Sequence, residues 1–217
     1  PVVRTAGALI PLVKREVLTA EDTNAILGLL LNEEKKRVFT ETQEIDFSYT
    51  AEQGVRFRGN AFYQQQAVGI ALRLIPKEIR GLAELSLPPV LETFARRQQG
   101  FFLVVGPVGH GKSTTLAALI DLINKERTEH IITIEDPIEY MFTPERSIID
   151  QREVGVDTKD FSNALRSTFR QDIDIMMIGE MRGTETISTA VTAAETGHLV
   201  FSTLHTNNAS QTIDRII

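Results

Sequence analysis

The stretch Phe101-Phe-Leu-Val-Val105-Gly106-Pro-Val-Gly-His-Gly-Lys-Ser113 decides the fold. Its first five residues form an apolar run of strand length. The eight from Gly106 to Ser113 fit G-x-x-x-x-G-K-[ST], and over Ser113–Lys125 the residues Leu116, Leu119, Ile120 and Ile123 fall on one helical face. Strand, glycine loop and helix in that order make a cup for phosphate. The glycines let the backbone curl so that N–H groups point inward, and the helix adds the partial positive charge of its N-terminus. Lys112 brings a full charge to the β- and γ-phosphates, and the Ser113 hydroxyl can ligate Mg²⁺. Pro107, Val108, Gly109, Gly111 and Thr114 complete the candidate nucleotide-binding set, with His110 at a position where only its backbone is needed. The pattern predicts a nucleoside triphosphate site.

Outward from this stretch, further apolar runs at Ile131–Ile134, Ile175–Ile178 and Leu199–Phe201 alternate with helix-period segments. Phe161, Ala164, Leu165 and Thr168 share one spacing, and Ile187, Val191 and Ala194 another. Buried strands alternating with helices predict an α/β core with a mostly parallel sheet covered on both faces. Ligands bind such sheets beyond the carboxyl ends of the strands, so the residues just after each run carry the chemistry. Glu135-Asp136-Pro-Ile-Glu139 succeeds one run and Gly179-Glu180 another. A carboxylate closing a strand suits Mg²⁺ or its water shell, and a second near the γ-phosphate can orient or deprotonate water. Glu180 and Glu139 are the candidates for these two tasks. Glu135 and Asp136 fit either a turn ahead of Pro137 or polar support of the site. His198 and His205 bracket the last strand and its adjoining turn, where Thr206-Asn-Asn208 adds short polar groups. The four histidines lack metal-ligand spacing, so a zinc site is not expected.

Upstream, the grammar differs. Thr19 and Asp22 form a capping box ahead of Ile26, Leu27, Leu30 and Leu31, which lie on one helix face. Strands are expected near Asp46–Tyr49, Val55–Phe62 and Ala67–Leu74. Pro76, Gly81 and Pro88-Pro89 then punctuate residues 76–89. We therefore expect a small α+β domain over 1–89, a linker and short helix over 90–97, and the α/β core over 98–217.

The totals exclude several classes. The chain has 217 residues and a formal charge of −6, without cysteine, so no disulfide, thiolate zinc site or cysteine nucleophile is possible. No apolar run approaches the roughly 20 residues of a membrane span, and the first residues do not resemble a signal peptide; a start at Pro1 suggests a trimmed chain. Residues 1–96 carry twelve basic and twelve acidic side chains, whereas 97–217 carry 11 and 17. That acidic half, with no aromatic-basic stripe, counts against a nucleic-acid motor.

Five segments in order, Gly106–Ser113, Thr133-Ile-Glu-Asp-Pro-Ile-Glu139, Ile178-Gly-Glu-Met-Arg182, Ala194-Glu-Thr-Gly-His198 and Ser202-Thr-Leu-His-Thr206, resemble the signatures of the secretion ATPase superfamily. They look like its Walker A, Asp box, Walker B and His box, and within it the chain is most similar to the PilT-like pilus retraction ATPases. The resemblance implies a PAS-like N-terminal domain, a RecA-like P-loop core and a C-terminal part that is missing after Ile217. It implies a homohexameric motor, cytoplasmic and peripheral to the inner face of the bacterial inner membrane. That motor would act on an inner-membrane pilus platform protein and bind no nucleic acid. By position Glu139 would be the catalytic carboxylate, Glu180 the Walker B glutamate, and His198 and His205 the histidines near the nucleotide. Arg58 and Arg73 match basic positions that approach nucleotide from the linked or neighbouring subunit; Arg166 and Arg182 are further family positions. A pilus-assembly or type II secretion motor is the nearest rival, although those usually carry a four-cysteine zinc element. A non-catalytic ATP-binding accessory subunit is the rival of another class, and the presence of both glutamates argues against it.

Overall fold

The computed structural model describes residues 1–217 apart from Gln53, Arg182, Asn207 and Ile217, and apart from the side chain of Arg215. It forms two compact units, Pro1–Ile75 and Pro76–Ile217.

In the first unit, β1 (Val2–Thr5) and β2 (Ala8–Pro11) make a two-stranded hairpin, unforeseen in the sequence, whose two turn residues, Ala6 and Gly7, both have positive φ. Two helices come next, α1 (Ala20–Leu30) and α2 (Glu33–Thr42). The Thr19 hydroxyl accepts from the Asp22 N–H at 3.2 Å while the Asp22 carboxylate accepts from the Thr19 N–H at 2.8 Å, the reciprocal capping box. Three antiparallel strands, β3 (Glu44–Thr50), β4 (Arg56–Gln64) and β5 (Ala67–Leu74), pair in chain order. One face of this sheet buries Phe47, Ala61 and Val68 against Leu27, Leu31 and Phe39. The Phe47 ring lies over Gly59, where an added Cβ would come within 2.3 Å of ring carbon.

The second unit starts earlier than the expected boundary at residue 89. Leu82 is buried in one cluster with Leu116, and Ile79, Leu85 and Leu87 pack against it, so the segment 76–89 belongs with this core. Then come α3 (Leu91–Ala95), β6 (Gly100–Val105), α4 (Lys112–Glu126), β7 (His130–Glu135), β8 (Ile148–Glu153), α5 (Phe161–Thr168), β9 (Ile175–Ile178), α6 (Thr184–Glu195), β10 (Leu199–Leu204) and α7 (Ala209–Ile216). All five strands are parallel, in the order β6-β10-β9-β7-β8. Successive residues alternate between faces: Ile131, Ile175, Met177 and Phe201 pack with α4, while Ile132, Met176, Ile178 and Val200 pack with α5 and α6. The fold class is the expected one, an α/β parallel sheet preceded by a small α+β unit. β8 escapes a search for apolar runs because this edge strand reads Ile-Ile-Asp-Gln-Arg-Glu.

Replacing Gly59 with alanine should destabilise the first unit by roughly 1–3 kcal/mol, because the buried Phe47 ring has no low-strain retreat. Urea unfolding monitored in the first unit measures this; an unchanged midpoint would mean that the ring moves freely.

Candidate functional site

Parallel pairing brings four connections to one edge of the sheet. The loop 106–111 leaves β6, His205 leaves β10, Gly179-Glu180 leaves β9, and Asp136–Glu139 leaves β7. Gly109 and Gly111 both take φ of 80°, the left-handed conformation that residues with a Cβ rarely adopt. Gly111 is the N-cap of α4 and brings no side chain to bond the N–H groups of the first turn. His110 is exposed, as expected of a position that contributes only backbone.

Lys112 opens α4 and is only 7% exposed. Its ammonium donates to the carbonyls of Gly106 and Pro107, each at 2.9 Å, and lies 3.4 Å from His205 Nδ1. His205 Nε2 is in turn 3.3 Å from Glu180 Oε2. Burial draws the Lys112 ammonium below the usual lysine range, and the charges of Glu180 and Glu139 oppose that shift. Lys112, His205, Glu180 and Glu139 therefore form one electrostatic group. Ser113 is half-buried in the first turn of α4.

The segment after β7 has no regular structure, yet buried side chains partner much of its backbone. Glu153 accepts from the Ile138 N–H and Glu135 from the Glu139 N–H, both at 3.2 Å. The Gln151 amide accepts from the Phe142 N–H and donates to the Tyr140 carbonyl, both at 2.8 Å. Asn124 likewise donates to the Thr143 carbonyl and accepts from the Glu145 N–H, both at 2.9 Å. The Tyr140 hydroxyl bonds the Thr114 hydroxyl at 2.9 Å, tying this segment to α4. The two options for Glu135 thus resolve toward polar support. Its side chain is 5% exposed, and burial pushes its carboxyl up to about 7. Hydrogen bonds from Thr133, the Glu139 N–H and Gln151 oppose that rise, and the Glu139 charge adds to it.

Two expected groups lie elsewhere. His198 precedes β10 and so occupies the opposite edge of the sheet from His205, the whole strand lying between them. Six residues at about 3.3 Å each put some 20 Å between the ends. There its Nδ1 lies 3.0 Å from the Ala193 carbonyl, and its ring meets Phe169 edge to face. Within this chain His198 is not beside Lys112; bracketing a strand in sequence separates two residues by the strand's length. Arg58 and Arg73 belong to the first unit, where they are directly opposed partners on β4 and β5. Arg166 pairs with Glu185, bridging α5 and α6. Arg182 and Asn207 lie outside the described residues. Sequence reasoning missed Gln151, Tyr140, Asn124 and Glu153 as partners of this segment; Asn124 lies within the apolar period of α4, where the fold buries it.

Mg²⁺ prefers oxygen donors and retains several water or phosphate ligands, so one hydroxyl and one carboxylate suffice on the protein side. Ser113 after the glycine loop and Glu180 after β9 offer donors of those two kinds. Among the described residues, no group of three acidic or histidine side chains is arranged as a self-sufficient metal cage. No helix among them is long and apolar enough to cross a membrane.

The sequence matches the type II/IV secretion system protein family over residues 42–217. The chain belongs to that family. Relatives within the family include a twitching motility protein of Neisseria gonorrhoeae, 44% identical over 92% of this chain and 54% of its own length. The type IV pilus ATPase PilU of Pseudomonas aeruginosa is 46% identical over 100% of this chain and 56% of its own length. A crystal structure of the pilus retraction motor PilT with bound ADP superposes with a TM-score of 0.95 at 49% identity, covering 100% of this chain and 63% of that one. The chain thus spans little more than half the length of these curated relatives.

Glu135 generates a pH-dependent stability. Its folded pKa of about 7 stands above the ordinary 4.5, so its contribution is greatest below 4.5 and is lost as pH rises through 7. The full swing is up to about 3 kcal/mol. Chemical denaturation at acid and neutral pH should show wild type losing more stability across this window than Glu135→Gln; equal slopes would contradict the buried carboxyl.

Proposed function

We propose that this chain is the nucleotide-hydrolysing part of a type IV pilus retraction motor. The observation that carries the proposal is the convergence of Glu139 and Glu180 on Lys112 at the mouth of the glycine loop. ATP is held by the backbone N–H groups of Val108–Thr114, with Lys112 exchanging its loop carbonyls for phosphate oxygens. Glu139 orients and deprotonates the attacking water. His205 steadies the Glu180 carboxylate. Ser113 and Glu180 would hold Mg²⁺, which neutralises charge on the phosphates when bound. Similarity to PilU as well as PilT favours a pilus motor, and the retraction role extends that to direction of work.

The wider reading comes from the same resemblance. Six copies form a ring at the cytoplasmic face of the inner membrane, the N-terminal domain moves against the core, and a pilus platform protein receives the work. Arg58 and Arg73 reach the nucleotide from the linked or adjacent subunit. An arginine supplied in this way is typically worth about 10³–10⁵ in rate, or roughly 4–7 kcal/mol. Turnover then depends on assembly.

Steady-state ATPase of the full-length protein across a concentration series is the test. Specific activity should climb as rings form. Lys112→Ala should abolish nucleotide binding, and Glu139→Ala or Glu180→Ala should lower kcat by roughly 10²–10⁴ while nucleotide still binds. Nucleotide binding without turnover by the assembled wild-type protein would leave an accessory subunit in place of a motor, and wild-type turnover by both glutamate variants would remove the roles given to Glu139 and Glu180.

A further inference from the structure

The backbone of residues 136–146 runs without helix or strand between β7 and β8 and carries Glu139. Such a segment holds a fixed shape only where its N–H and C=O groups find partners. Gln151 supplies two of those partners from one amide, to Phe142 N and Tyr140 O at 2.8 Å each. The same nitrogen lies 3.4 Å from Glu135 Oε1, and Glu135 in turn accepts the N–H of Glu139. β8 pairs with β7 so that Gln151 stands opposite Thr133, whose hydroxyl donates to the same Glu135 oxygen at 2.7 Å. Gln151 thus grips the segment just after Glu139 directly and the Glu139 N–H through Glu135.

We propose that Gln151 is a positioning residue for hydrolysis, holding the segment that carries Glu139 in its place beside the glycine loop. The proposal rests on the reading of Glu139 as the residue that activates water. An amide suits the task because it offers a donor and an acceptor side by side. Methionine matches its length and offers neither. A carboxylate keeps the acceptor for Phe142 N but turns a second acceptor toward the Tyr140 carbonyl and toward Glu135. Nothing in the grip touches the phosphate loop's own N–H groups, so nucleotide affinity is expected to survive its loss.

The experiment compares wild type, Gln151→Met and Gln151→Glu in the full-length protein, each alone and combined with Glu139→Ala. ADP affinity is measured by calorimetry and hydrolysis by steady-state and single-turnover assays. The expected result is a fall in kcat of roughly tenfold or more for both Gln151 variants, with ADP affinity held. Adding either change to Glu139→Ala should then slow single-turnover hydrolysis no further. For Gln151→Glu, the ratio of its kcat to that of wild type should rise between about pH 8 and pH 6, as protonation of the introduced carboxyl, crowded by Glu135 and Glu153 and near Glu139, restores a donor. Unchanged kcat in both variants overturns the proposal. So does an equal further loss in the Glu139→Ala background, which would mark Gln151 as a support of the fold alone. Full activity of Glu139→Ala by itself would instead sink the hydrolysis reading, a separate outcome.

Discussion

The parallel register of the second sheet is the constraint on which the site depends. Strands that all run one way deliver each of their carboxyl ends to a common edge, and β6, β10, β9 and β7 are neighbours there in turn. Ile134 pairs with Ile178, and Ile178 with Ser202, so Glu135, Gly179 and Thr203 stand at nearly one level across three neighbouring strands. Hydroxyls complete the alignment: Ser202 donates to the Ile178 carbonyl at 2.8 Å and Thr203 to the Gly179 carbonyl at 2.7 Å. A Cβ on Gly179 would lie 3.4 Å from the Glu135 backbone, in ordinary van der Waals contact, so the two strand ends are close neighbours. One slip in pairing would turn Glu135 from the α4 face to the α5 face and dissolve the grouping.

That common edge also explains how the segment beyond β7 is stabilised. A sheet that ends at one level leaves the next residues with no strand to pair against, and Ile138 and Phe142 are buried there. Glu135, Glu153, Gln151 and Asn124 take over the work of a ladder, one or two backbone groups each. Burying two carboxylates, at 5% and 3% exposure, opposes folding. They persist because they accept N–H groups that would otherwise be stranded.

The apolar runs and the glycine loop were legible in the sequence because each is a local pattern with a local cause. Val105 to Lys112 could be read from residue types alone, as could the capping box of Thr19 and Asp22. The register of β8 was not, since its own residues, Ile-Ile-Asp-Gln-Arg-Glu, show no apolar face. Gln151 and Asn124 look like surface amides until the fold half-buries the first and fully buries the second. His198 shows the converse error. It is close to His205 in sequence, and extended backbone carries that closeness away. The hairpin β1–β2 was hidden because every residue in it is exposed, leaving no pattern of burial to read.

His205 illustrates how the two acidic arms and the lysine are coupled through geometry alone. Its Nδ1 faces an ammonium, which has three donors and no acceptor, so that nitrogen must offer its lone pair. A neutral ring then carries its proton on Nε2, and Nε2 faces the Glu180 carboxylate, which only accepts. Both contacts select the same tautomer, so each reinforces the other.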